Sequence, residues 1–150
     1  MTDRDLAILE DIRTAIESNG LTARALTGGE TSGESVPAGE LPAANIFWRS
    51  TTERDLAGEG LKLATVEVEI LLRSAVEGES AASEELREII SLKNRVVDCL
   101  MSDPGRSGLA DGLAGTTVTR TVFSPTAPNH FAECKVFIQC DYVLMDDQER

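Results

Sequence analysis

Apolar positions along the chain follow two different periods. Leu6, Leu9, Ile12 and Ile16 recur three or four residues apart, the spacing that lines one face of a helix. Thr2 stands ahead of them as an N-cap hydroxyl with the acid Asp5 three residues on, so the pattern predicts an amphipathic helix running up to Gly20. From Gly20 to about Ala44 the periodicity vanishes. Gly28, Gly29, Gly33, Pro37, Gly39 and Pro42 stand among small polar residues, and a long loop is expected. Asn45 to Arg49 reads as a short strand, and the polar stretch from Ser50 to Gly60 as a second loop. From Lys62 to Ser74 the period changes to two: Ala64, Val66, Val68, Ile70 and Leu72 alternate with Thr65, Glu67, Glu69, Leu71 and Arg73, as in a half-buried strand.

A turn at Glu77 to Ser80 leads into a second helical pattern from Ala81 to Met101, with Leu86, Ile89, Ile90, Lys93, Val96, Val97 and Leu100 on one stripe. Lys93 extends its ammonium out of that stripe. Glu84 and Glu85 favour the positive end of the helix dipole, and Asp103-Pro104-Gly105 stops the helix. After a glycine-rich connection, the β-branched run Thr117 to Phe123 and the segment Phe131 to Met145 predict two strands flanking a turn at Ser124 to Asn129. In the last strand Ala132, Cys134, Val136, Ile138, Cys140, Tyr142 and Leu144 share one face. Glu133, Lys135, Phe137, Gln139, Asp141, Val143 and Met145 share the other, whose apolar content calls for cover by the chain's own helix or by another subunit. Grouped strands and helices give an α+β fold, a mostly antiparallel sheet with two main α-helices packed on it.

A length of 150 residues with 41% hydrophobic content suits one domain spanning residues 1–150. The apolar run Ile70-Leu71-Leu72 is far too short to span a membrane, and the acidic N-terminus does not read as a signal peptide. Cys99, Cys134 and Cys140 lack CxxC spacing and suit reduced thiols. The net charge of −12 argues against nucleic-acid binding, which needs clustered Lys and Arg. It serves solubility first, and is also compatible with a surface that DNA slides past without sticking.

Candidate chemistry is sparse. His130 is the single histidine, which removes multi-histidine metal sites. Cys134, His130 and Asp141 supply the residue types of a nucleophilic triad. On a strand, however, His130 and Cys134 stand about 13 Å apart and Asp141 points to the opposite face. Cys134 and Cys140 therefore read as core fillers. The run Asp103 to Gly115 lacks the GxxxxGK[ST] pattern of a phosphate loop, and Glu67 with Glu69 reads as a solvated sheet face rather than a catalytic pair. Asp146 to Arg150 reads as a solvated acidic segment. No cofactor is expected.

The long helix Leu86 to Met101, the run Asp103-Pro-Gly-Arg-Ser-Gly-Leu-Ala-Asp111 and the closing strand Ala132 to Tyr142 resemble the tail terminators of long-tailed bacteriophages, the gpU-like tail-completion family. Overall length, an opening helix and the strand Lys62 to Ser74 add to the likeness, which covers residues 60 to 146. The resemblance implies a virion protein without catalytic residues. In that family a hexameric ring caps the tail tube at its head-proximal end, stops polymerisation and meets the head-tail connector protein. Its partners would be the tail tube protein, the connector and further copies of itself, with genomic DNA passing through unbound and assembly taking place in the host cytoplasm. Recognition is expected in the loops, at Gly28, Gly29 and Gly33 and at Arg106, Gly108, Leu109 and Asp111. Another head-closure or joining protein, or a small ligand-binding α+β domain, are the other classes compatible with the pattern.

Overall fold

A computed structural model describes residues 1–26, 41–56, 60–74, 82–111, 115–125 and 132–145. Helix α1 (Asp3–Glu17) is followed by strands β1 (Thr22–Leu26), β2 (Ala43–Asp55) and β3 (Leu61–Arg73), helix α2 (Ala82–Met101), and strands β4 (Thr116–Ser124) and β5 (Glu133–Met145). The strands form one sheet in the order β1-β2-β3-β5-β4, parallel between β1 and β2 and antiparallel elsewhere. This is the α+β architecture the periodicity predicts.

Alternation along the strands gives the sheet an inner and an outer face. Ala44, Ile46, Val66, Val68, Ile70, Val136 and Ile138 turn inward onto Ile8, Leu9, Ile12 and Ile16 of α1 and Ile89, Leu92, Val96 and Leu100 of α2. The helices thus lie together on the inner face, α1 over β1 and β2, and α2 over β3, β5 and β4. The inward set expected for the last strand is buried there from Cys134 to Leu144, so β5 is read correctly. Neither helix covers the outer face, where Phe47, Leu63 and Leu71 are nonetheless buried.

Several expectations change. The loop expected from Gly20 to Ala44 opens with strand β1, whose Thr22 to Leu26 pair with Ala43 to Phe47. The short strand at Asn45 to Arg49 is the first part of β2, which continues through the supposed loop as far as Asp55, opposite Lys62. Ser50 to Asp55 is polar because it is exposed or half-exposed, and ladder hydrogen bonds to β3 hold it extended regardless. In α1, Leu6 is 45% exposed, and the buried stripe uses Asp5 and Ile8 instead. In α2, Ile90 is exposed and Leu92 takes its place in the core. Glu69 is buried, contrary to its reading as a solvated residue, because Arg49 donates to its carboxylate at 2.8 Å. Glu67 is exposed, as expected.

Candidate interaction surfaces

The start of α1 is fastened to the sheet by a network of polar side chains. Thr2 caps the helix by accepting from the Asp5 amide, and Asp5 accepts from the Thr2 amide in return, each at 3.1 Å. The same carboxylate, fully buried, also accepts from the Tyr142 hydroxyl at 2.9 Å and the Thr51 hydroxyl at 2.8 Å. Trp48 donates its indole N–H to Thr51 Oγ1 at 2.9 Å, and the Arg4 guanidinium lies 4.8 Å from the centre of the Tyr142 ring. Three hydrogen bonds satisfy the buried carboxylate, which makes it a joint between α1, β2 and β5. Thr2 and Asp5 are legible as a cap in the sequence. Tyr142 and Thr51 lie 137 and 46 residues from Asp5, so no local signal could reveal them.

The described residues after α2 form a hydrogen-bonded brace. Arg106, expected to be an interaction residue, is fully buried. Its Nη2 donates to the carbonyls of Leu100 and Asp103, and its Nη1 lies 3.3 Å from Asp11 of α1. Nη2 thus serves the C-terminal end of α2, while Nε and Nη1 are buried without a hydrogen-bond partner among the described residues. Arg106, Ser107 and Gly108 take φ values of +48°, +57° and +87° to make the turn. Ser107 is held by Asp103 and Asp11, its hydroxyl donating to the latter at 3.0 Å. Gly115 closes the brace: a Cβ there would stand 2.7 Å from the Pro104 carbonyl oxygen, which accepts from both the amide and the hydroxyl of Thr116 at 2.8 Å.

Of the other predicted interaction residues, Gly108 and Asp111 are exposed and Leu109 is half-buried. With Met1 to Arg4 these three line a cleft of about 730 Å³. Arg4 crosses it, donating to the Leu109 carbonyl at 2.9 Å and pairing with Asp111 at 2.9 Å, while Asp111 also accepts from the Val143 amide. Gly28, Gly29 and Gly33 lie outside the described residues.

A second surface occupies the outer face, the face of the last strand whose apolar content in the sequence calls for cover. Arg49 is the extra residue of a bulge in β2 and Thr119 of one in β4, and both bulges flank the paired residues Val68 and Ile138. A bulge turns a strand locally and re-aims its side chains. Arg49 lies over the Phe47 ring at 4.9 Å, and Arg120 over the Phe137 ring at 4.3 Å. Phe47, Glu69, Phe137 and Arg120 form one row across four strands. Beside it Glu67 accepts from Ser50 at 3.1 Å and from Gln139 at 3.4 Å. Arg49, Glu67, Thr119, Arg120, Phe137 and Gln139 border a concavity of about 450 Å³.

The thiols lie elsewhere. Cys134 and Cys140 are fully buried on the inner face, and loss of hydration pushes each up to about 11 from 9.0. Lys93 opposes the rise at Cys134, and the Thr116 hydroxyl opposes it at Cys140. Neutral buried thiols of this kind are poor nucleophiles. Asp141 is on the outer face, bonded by Thr65 at 2.9 Å, and His130 lies outside the described residues. Among the described helices none is long and apolar enough to cross a membrane.

Comparison with models of known protein families yields no match, and comparison with curated proteins yields no relative. The fold class, a five-stranded and mostly antiparallel sheet with two helices on one face, stands on the structure itself.

Proposed function

We propose that this protein is a structural assembly component and not an enzyme: a phage tail terminator. Copies of it form a ring on the last layer of the tail tube, stop polymerisation, and offer the opposite side to the head-tail connector. The observation that carries the reading is the one-sided packing of the sheet. Both helices sit on the inner face, so neither covers the outer face, and among the described strands β4 forms one edge of the sheet. The polar groups with chemical potential have structural tasks that fit a rigid subunit. Asp5 and Tyr142 lock α1, Arg106 caps α2, and the inner-face thiols fill the core. The resemblance over residues 60 to 146 supplies the biological setting.

A cap acts by occupying the growing end. Purified protein added to polymerising tail tubes is expected to shorten them in proportion to dose and to be found at one end only. A phage lacking it is expected to make filled heads and overlong tubes that do not join. Unchanged tube lengths, with no protein at tube ends, would overturn the terminator reading in favour of a head-closure component.

A further inference from the structure

In a chain with 26 acidic and 14 basic residues, the outer face along β4 and β5 carries cations that have no acidic partner among the described residues. Arg120 is exposed and stacked on Phe137, and Lys135, two residues along β5 from Phe137, faces Val122 across the ladder. Among the described residues neither cation forms an ion pair or a hydrogen bond to a carboxylate. Val122 is 36% exposed, so the patch joins two positive charges to an apolar surface beside the 450 Å³ concavity.

From this we infer that the Arg120, Lys135, Val122 and Phe137 surface docks an acidic segment of a second copy of this chain, Asp146-Asp147-Gln148-Glu149. The complementarity is direct, since three of those four residues are carboxylates that guanidinium and ammonium groups can pair. Reach decides that the contact is between copies. β5 continues from Phe137 to its end at Met145, which stands about 26 Å along the strand from Phe137. Four residues span at most about 14 Å even when fully extended, so the segment falls short of its own patch. A contact of patch on one copy with segment on the next is heterologous. It propagates in one direction and closes into a ring if the rotation returns to its start.

The inference rests on the ring reading for its biological setting, and it has its own test. The full-length protein is studied by sedimentation velocity and chemical crosslinking up to about 1 mM, at about 0.1 M salt, where charges within roughly 10 Å still act. Wild type is expected to associate in a concentration-dependent way. An Arg120→Glu/Lys135→Glu variant and an Asp146→Lys/Asp147→Lys/Glu149→Lys variant are each expected to associate about tenfold more weakly or worse. Mixing the two variants should restore association, because each then meets a complementary surface. That recovery also shows that both are folded, which circular dichroism checks independently. Wild type that stays monomeric, variants that associate as wild type does, or a mixture that fails to recover would each overturn the docking. Protein that caps tubes while Arg120→Glu/Lys135→Glu associates normally removes the docking and leaves the cap. Protein that associates through the patch yet leaves tubes overlong removes the cap and leaves the docking.

Discussion

At the scale of single residues, the largest effects are expected where a buried polar group has partners that cannot find substitutes. Replacing Arg106 by Ala strands the Leu100 carbonyl, takes a second donor from the Asp103 carbonyl and leaves Asp11 without its buried partner. Loss of a buried charged donor of this kind costs about 3 kcal/mol, which chemical denaturation would detect. Arg106→Lys should recover little of it, because a single ammonium cannot reproduce the guanidinium fork. The core thiols predict a pH effect with a definite sign. Cys140 is held near 11 in the folded chain against 9.0 in the open one, so the folded state keeps a proton that the unfolded state loses in that window. Stability attributable to this group is therefore complete below about pH 9 and falls as pH rises to 11, by on the order of 2–3 kcal/mol. Urea midpoints measured between pH 8 and 11 should decline, and Cys140→Ala should flatten the decline.

At the scale of elements, the joint at Asp5 determines whether α1 stays registered on the sheet. Tyr142→Phe removes one donor to the carboxylate and Thr51→Val another. Each should destabilise by about 1–2 kcal/mol, and the double variant should depart from additivity, because both hydroxyls serve one acceptor. Independent losses that simply add would separate the two bonds and refute the description as one network. The brace after α2 makes a steric prediction. Gly115→Ala forces a Cβ against the Pro104 carbonyl in a left-handed backbone with φ +62°, and should lower stability by about 2 kcal/mol or more. Gly108, whose missing Cβ has open space around it despite φ +87°, should tolerate the same change with a smaller loss. The contrast is measurable by thermal unfolding of the two variants side by side.

At the scale of the whole molecule, the formal charge of −12 opposes both compactness and association. Raising salt from about 10 mM to 150 mM shortens the Debye length from roughly 30 Å to 8 Å, so the melting temperature should rise over that range. A melting temperature that falls instead would show that favourable ion pairs, such as Arg73 with Glu133 and Arg4 with Asp111, outweigh the net repulsion. The acidic balance also gives Arg120 and Lys135, which have no acidic partner among the described residues, their interest, since an acidic chain otherwise repels an acidic partner.

Much of the architecture was legible because it is written in local periods. The alternation in β3 and β5 and the stripe of α2 each require only neighbours along the chain, and the Thr2 and Asp5 pair announces the start of α1. The same reasoning passed over β1 and the second half of β2, because those residues are held extended by ladder bonds to partner strands and not by side-chain pattern. Of the candidate site, Gly108, Leu109 and Asp111 do border a cleft, while Arg106 serves the brace, a role visible only once the end of α2 and Asp11 come together. The pattern of β5 marked its outer face as calling for cover, but the residues of β4 that complete the patch were hidden for a similar reason. Arg120, Val122, Lys135 and Phe137 become neighbours through the β4 to β5 register and its bulge. The sequence by itself determined where chain segments bury one side, since that depends on solvation of each residue. Only the tertiary structure decided which polar side chains are spent inside and which remain outside, since a charge is satisfied by partners that distant segments bring to it.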